Sequence, residues 1–174
     1  NYYQLKKSKQ KKNTNVFIDF GIKWNYNTIN ERSLRGTENA IYQLANQLSN
    51  TNDVVILTKG GLYHKSHNVI YDTIDNINMY LHKDIYIHQG IPNDILFTTT
   101  NKKHILYIQH DINVNCIKQT YNKLHLFDKH IYKYIFVSHW QRQRYIETYH
   151  LPESKCYVIQ NAISPILNDT LHNK

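Results

Sequence analysis

Short runs of apolar, β-branched and aromatic residues recur along this chain, and glycine, proline or a polar turn closes most of them. Such runs predict buried strands. Most are continuous rather than alternating, which is typical of strands covered on both faces in a parallel sheet. The predicted strands are NVFIDFG (15–21), DVVILTKGG (53–61), NVIYDT (68–73), DIYIHQG (84–90), HILYIQHD (104–111), YKYIFVS (132–138) and KCYVIQNAI (155–163).

Helical patterns lie between several of these strands. A helix beginning near Thr37, which is expected to cap it, carries an apolar stripe at the spacing of a helix packed on a sheet. A second helix is predicted over roughly 114–127. A third begins after Ser138, because Ser138 and Gln141 have the spacing of a capping box, and it ends before Pro152. In this third helix Trp140 is expected to pack inward.

Strands that alternate with helices predict an α/β fold with a Rossmann-like, doubly wound, mainly parallel sheet and helices on both faces. Ligands of such sheets bind beyond the carboxyl ends of the strands, so site residues are expected in the loops there. The 174 residues suit one domain. We expect a basic, disordered tail over 1–14, the folded domain over 15–166, and a linker or C-terminal tail over 167–174.

Much of the formal net charge of +8 is local, because LKKSKQKK (5–12) holds five lysines. One interpretation is a solvated tail. The other is attraction of the tail to anionic lipid or to nucleic acid. Nucleic acid is disfavoured because no aromatic and basic recognition motif accompanies the lysines.

Cysteine usage and hydropathy bear on the compartment. Cys116 and Cys156 lie far apart and outside any CxxC spacing, which fits a reducing compartment in which both act as small apolar residues. No apolar run approaches the ~18 residues that a membrane span needs. A cytoplasmic location is therefore expected, with contact to a membrane surface through the lysine tail as an option. The histidines show no metal-ligand spacing, so no metal is expected.

The sequence RGTE (35–38) leads from a polar loop into the first predicted helix. Gly36 would let a phosphate or sugar approach the backbone closely, Thr37 adds a hydroxyl, and Glu38 suits the positive end of the helix. A glycine that serves only to make the turn is the alternative. The G-x-G-x-x-G fingerprint and the P-loop motif are absent, which argues against a dehydrogenase or nucleotide kinase.

The sequence IQHD (108–111) places a histidine and an aspartate where a buried strand reaches the ligand-facing edge of the sheet. His110 at that position can bond a sugar hydroxyl or stabilise charge, and Asp111 can orient it. The alternative is that His110 caps the next helix and Asp111 only interacts with the helix dipole. The dipeptide alone leaves both interpretations open.

Three segments, taken in order, resemble GT-B glycosyltransferases, in particular glycosyltransferase family 4. The first is RGTE with the helix NAIYQLANQLS and the strand DVVILT. The second is YIQHD, similar to the family's histidine at a strand end. The third is YIFVSHWQRQRYIETYHLPESKCYVIQNAI, similar to the strand and helix that close the family's N-terminal domain. The resemblance covers roughly residues 15–166.

The resemblance implies a hexosyltransferase-like Leloir enzyme, which moves a glycosyl group from a nucleotide sugar to a hydroxyl of a glycan, lipid or protein acceptor with retention. In the family two Rossmann-like domains close over a cleft. The N-terminal domain binds acceptor, and the C-terminal domain holds most of the donor. This chain would be the N-terminal domain without its donor-binding partner domain, so we expect it to be weak or inactive alone.

The resemblance also implies roles for particular residues. The catalytic pair would be His110 and Asp111, and the hinge side would carry Ser138 and Asn161. The nucleotide sugar is a substrate, and no cofactor is implied. The loop residues beside the donor diphosphate would be Arg35, Gly36, Thr37 and Glu38. The alternative function is a non-catalytic, Rossmann-like module that binds a glycan or a nucleotide.

Overall fold

The computed structural model describes residues 13–19, 21, 23–31, 34–89, 102–114 and 124–161. The strands in this part of the chain form one sheet of eight. They are β1 (Thr14–Asp19), β2 (Asp53–Thr58), β3 (His64–Ser66), β4 (Val69–Thr73), β5 (Ile85–Gln89), β6 (Lys103–Ile108), β7 (Ile131–Phe136) and β8 (Cys156–Val158).

The order of the strands across the sheet is β3-β4-β2-β1-β5-β6-β7-β8. All neighbours are parallel except β3 and β4, which pair antiparallel. From β1 the chain adds strands on one side as far as β3, returns to place β5 on the other side of β1, and continues outward to β8. A reversal of this kind defines a doubly wound, Rossmann-like sheet. The predicted fold class is therefore confirmed.

The described helices cover both faces of the sheet. The α-helices are α1 (Tyr26–Glu31), α2 (Gly36–Leu48), α3 (Leu124–Phe127) and α4 (His139–Tyr149). Short 3₁₀ helices span Ile74–Tyr80, Asp128–His130 and Glu153–Lys155. Helical segments therefore lie in the connection between β1 and β2 and in the connection between β7 and β8.

Alternation along the strands divides the core into two layers. Phe17 of β1 packs in one cluster with Ile41 and Ala45 of α2. The next residue, Ile18, points to the opposite face and packs near the 3₁₀ helix that ends at Tyr80. On that same face, β6 and β7 contribute to a cluster that includes Tyr145 of α4. Helices on both faces explain why most strands read as continuous apolar runs.

Several local predictions agree with the structure. The strand β1 (Thr14–Asp19) lies where the first strand was predicted, while the tails predicted over 1–14 and 167–174 fall almost wholly outside the described residues and stay predictions. The Ser138 hydroxyl caps α4 by accepting from the Gln141 N–H at 3.1 Å. Cys156 is a buried free thiol in the core, as expected of a small apolar residue, while Cys116 is not among the described residues.

Other local predictions were wrong or incomplete. The helix α2 begins at Gly36 with Arg35 as its N-cap, so Thr37 does not cap it. Of the helix predicted over 114–127, only the last four residues are helical among those described, and Val114 is not. Trp140 is 58% exposed instead of packing inward, with the Arg144 guanidinium 4.7 Å from its ring centre. The polar helix α1 and the edge strand β3 were not predicted.

Two neighbouring strands bury a pair of histidines. His88 of β5 and His104 of β6 are 0% and 1% exposed, and their Nε2 and Nδ1 atoms lie 2.9 Å apart. The ring of Tyr86 stacks on His104 with centroids 5.2 Å apart. Burial lowers the pKa of His88 well below its ordinary value, and the neighbouring His104 adds to that effect. Burial, followed by the charge of His130, lowers the pKa of His104 to about 4.

Acidification is therefore expected to destabilise the fold through this pair. Below the ordinary histidine pKa of 6.5, His88 and His104 bind protons in the unfolded chain but not in the folded chain. Their contribution to the free energy of unfolding is therefore fully present above that pH and is lost as the pH falls towards 4. Each suppressed protonation lowers the free energy of unfolding by about 1.4 kcal/mol per pH unit in that window. Urea unfolding at pH 7.5 and pH 5 measures the slope.

The change in the free energy of unfolding with pH, and not its absolute value, tests the effect of these two histidines. His104→Phe retains a ring beside Tyr86 and should flatten the slope, even if the variant is less stable. His82→Ala, which removes an exposed histidine before β5, is the matched control and should keep the wild-type slope. A slope that His104→Phe leaves unchanged would contradict the assignment.

Candidate functional site

The carboxyl ends of β1, β5 and β6 meet where the strand order reverses. Asp19 of β1 is the register partner of Gln89 in β5, and Gln89 is the register partner of Tyr107 in β6. Phe17 and Ile87, which precede Asp19 and Gln89 by two residues, pack in the cluster under α2, and Tyr107 belongs to the same cluster. Because side chains alternate along a strand, all three residues of the row lie on the sheet face that α2 covers. Neighbouring strands are about 4.8 Å apart, so this row spans about 10 Å. It is the floor of the candidate site.

Asp19 holds the loop that follows β1. Its Oδ1 accepts from the Gly21 N–H and its Oδ2 from the Trp24 Nε1–H, both at 2.8 Å. The Thr58 hydroxyl at the end of β2 donates to the Trp24 carbonyl at 2.5 Å. Asp19 and Trp24 are 2% and 1% exposed. One buried carboxylate therefore ties the loop to its own strand and, through Trp24, to the neighbouring strand.

Electrostatic effects on Asp19 show what else lies near it. Burial raises the pKa of Asp19, and the bonds from Trp24 and Gly21 oppose that rise. The negative charge of Glu38 raises this pKa further, while His110 lowers it. The first turn of α2 and the loop after β6 therefore both lie within electrostatic reach of the end of β1. The structure brings the RGTE and IQHD segments to the same edge of the sheet.

The start of α2 combines a cap by the Glu38 side chain with an open surface. The Arg35 N–H donates to Glu38 Oε2 at 2.9 Å, and Glu38 is only 2% exposed. Gly36 is exposed, and a Cβ atom added there would meet no atom within 4 Å. The N–H groups of a first helical turn have no intrahelical acceptor, and such a helix start favours an anion. The exposed Arg35 adds a positive charge beside it.

The loop after β6 is fastened to α4 through its backbone. The carbonyl of His110 accepts from Gln141 Nε2 at 2.8 Å and from the Tyr145 hydroxyl at 2.9 Å. The imidazole of His110 is exposed. The Asp111 carboxylate accepts from the Asn113 N–H at 3.1 Å, which closes a turn. The orientation of the imidazole by Asp111 stays a prediction.

The predicted hinge residues lie at the same edge. Asn161 Oδ1 accepts from the Tyr107 hydroxyl at 2.7 Å, which places Asn161 above the row of register partners. Ser138 is the N-cap of α4, whose Gln141 side chain also accepts from the Val137 N–H at 3.0 Å. Both residues border the site, and their hinge role stays a prediction.

Two glutamines at this edge were not predicted. Gln89 is 6% exposed, and neither its Nε2 nor its Oε1 has a hydrogen-bond partner in the described part of the protein. Gln109, two residues beyond Tyr107, has a buried Nε2 without a partner there. A buried unsatisfied polar group costs about 1–3 kcal/mol. The only sequence signal was a polar residue that ends an apolar strand, which cannot show burial.

Three further findings delimit the site. Among the described residues there is no group of three or more His, Cys, Asp or Glu side chains that could hold a metal ion. None of the described helices is both long enough and apolar enough to cross a membrane. Two depressions of the described surface lie at the opposite edge of the sheet, around the amino ends of strands, and include Thr14 and Lys103.

Comparison with protein-family models finds no family that matches the chain, and comparison with curated proteins finds no match. The geometry of the site therefore carries the functional argument. That geometry consists of a helix start with an open surface, an exposed histidine, and a row of buried polar side chains at the reversal of strand order.

Removal of the Asp19 carboxylate is expected to destabilise the protein by about 1–3 kcal/mol, because Asp19→Ala leaves the buried Trp24 Nε1–H unpaired and also removes the acceptor of the Gly21 N–H. Asp19→Asn should cost less, since its amide keeps one acceptor oxygen. Urea unfolding measured by tryptophan fluorescence gives the free energies of unfolding, and Trp24 reports on the loop directly.

The matched control is Asp53→Ala, which removes an exposed aspartate at the start of β2. It should leave the free energy of unfolding within about 0.5 kcal/mol of the wild type. Equal stability of Asp19→Ala and Asp53→Ala would contradict the structural role of Asp19.

Proposed function

We propose that this chain is the N-terminal domain of a nucleotide-sugar-dependent, retaining glycosyltransferase that transfers a glycosyl group to a hydroxyl acceptor. The observation that carries the proposal is that β1, which leads to α2, and β6, which leads to His110, both end at the edge where the strand order reverses. Ligands of doubly wound sheets bind in the crevice at that point. The resemblance to glycosyltransferase family 4 supports the same assignment of residues.

The start of α2 supplies the anion-binding part of this mechanism. The backbone N–H groups of its first turn, with Gly36 allowing close approach, would hold the donor diphosphate. As the glycosyl bond breaks, negative charge grows on the departing diphosphate, and fixed N–H dipoles stabilise that charge without reorganising. Arg35 adds a positive charge at the same place, and Thr37 adds a hydroxyl.

The loop after β6 supplies the part that faces the sugar. The exposed imidazole of His110 would contact the transferred sugar or the acceptor hydroxyl, either as a hydrogen-bond partner or as a cation beside developing charge. Two side chains of α4 hold the His110 backbone in place. A second, donor-binding domain would complete the cleft, and Ser138 and Asn161 would lie on the side that faces it.

The proposed acceptor is a glycan, a lipid or a protein that carries a hydroxyl group. The proposed location is the cytoplasm, in keeping with the free buried thiol of Cys156. Contact with an anionic membrane surface would come from the lysines of residues 5–12.

One observation favours a second candidate, a non-catalytic module that binds a glycan or a nucleotide. Asp19, Glu38 and Asp111 each accept hydrogen bonds from the protein itself. In the described part of this edge each of these carboxylates therefore supports local structure. Ligand binding without turnover in a form that includes both domains would select this candidate.

Gly36→Val and His110→Ala, made in the full-length protein, are each expected to lower glycosyl transfer about 100-fold or more. Valine would fill the space that the diphosphate needs, and alanine removes the imidazole. Both variants should fold normally, because, apart from its chain neighbours and the α2 backbone, no described atom lies within 4 Å of a Cβ atom at position 36, and the His110 side chain is exposed. Transfer from a panel of nucleotide sugars and thermal unfolding are the two measurements.

His82→Ala is the matched control, since it removes an exposed histidine at the other edge of the sheet. It should retain wild-type transfer. Wild-type turnover in either Gly36→Val or His110→Ala would rule out the role assigned to that residue.

A further inference from the structure

The buried amide of Gln89 has the wrong chemistry for an anion site. Its Nε2 needs an acceptor and its Oε1 needs a donor, and neither finds one among the described residues. The phosphate oxygens of a nucleotide sugar carry no proton at neutral pH and only accept hydrogen bonds, so one of them would satisfy Nε2 and leave Oε1 unpaired. A hydroxyl group both donates and accepts. A group of that kind satisfies the whole amide.

The position of Gln89 makes it part of the candidate site. It stands between Asp19 and Tyr107 in register, on the face covered by α2. The charges of Glu38, in the first turn of α2, and of His110, after β6, both act on Asp19. Gln89 therefore lies beside a residue that both segments approach, at the reversal of strand order.

A second amide lies just beyond the end of β6. Gln109 is the residue that follows Ile108, the last residue of that strand. Its Nε2 is also buried without a partner in the described chain. A ligand that reaches both glutamines must present more than one polar group, as the ring of a sugar does.

We propose that Gln89 binds a hydroxyl group of a neutral, polyhydroxylated ligand such as a sugar ring, while the start of α2 binds the anionic part. The division of the site into a half that recognises hydroxyl groups and a half that binds the anion rests on the proposed function. The contact between Gln89 and a hydroxyl group stands without the proposed function. Gln89 is then a residue that determines specificity: it distinguishes a sugar from a bare diphosphate.

The test compares ligands that separate the two halves of the site. Side-chain amide resonances of the ¹⁵N-glutamine-labelled 174-residue chain are recorded with D-glucose, D-galactose and D-mannose, with UDP-glucose and GDP-mannose, and with inorganic pyrophosphate. Gln89→Met identifies the Gln89 resonance. At least one sugar-bearing probe should shift the Gln89 amide, whereas pyrophosphate should not.

Gln89→Met is also the functional variant. Methionine has nearly the same length without the two unpaired polar atoms, so the variant should be as stable as the wild type or more stable. Its affinity for the sugar-bearing probe should fall about tenfold, with no change for pyrophosphate. The matched control is Gln47→Met, an exposed glutamine near the end of α2, which should change neither affinity nor stability.

Each result decides the proposal. A Gln89 amide that no sugar-bearing probe shifts would overturn it, as would a Gln89→Met variant that loses stability while it keeps its sugar affinity. The proposed function fails separately: if pyrophosphate binds wild type and Gly36→Val equally while a free hexose shifts Gln89, the diphosphate role of α2 is wrong and the hydroxyl contact stands.

Discussion

The reversal of strand order between β1 and β5 is the constraint on which the rest of the structure depends. The chain leaves these two neighbouring strands for opposite sides of the sheet, and ligands of doubly wound sheets bind beyond the carboxyl ends at such a point. Asp19 and Gln89 end these strands side by side. Side chains that are distant in sequence meet there because of topology alone.

The buried carboxylates at the same edge of the sheet bond to backbone and side-chain N–H groups of the protein. A buried carboxylate needs hydrogen-bond donors, and Asp19 takes its two from the loop that it orders. Glu38 is directed back to the Arg35 N–H. With Asp19 and Glu38 occupied in this way, the groups left to contact a ligand include the N–H groups of the α2 start with Arg35 and Thr37, the imidazole of His110 and neutral amides. A site of this composition suits a ligand with both phosphate and hydroxyl groups.

The sequence predicted the elements that local patterns determine. Continuous apolar runs located seven strands, because burial on both faces leaves an unbroken signal, and Ser138 marked the start of α4. The helix α1 was missed because tertiary contacts support its polar sequence, with Tyr26 stacked 3.8 Å from the ring centre of His64. A local signal existed, since Asn25 and Thr28 exchange side-chain and backbone bonds at the start of α1. Gln89 was missed because only the register of β5 places its amide at the site.

The two hydrogen bonds on the His110 carbonyl have a mechanical consequence. Gln141 and Tyr145 are four residues apart on one side of α4, and both donate to the same carbonyl. A movement of α4 relative to the loop must therefore break two hydrogen bonds at once, and neither bond involves the imidazole of His110.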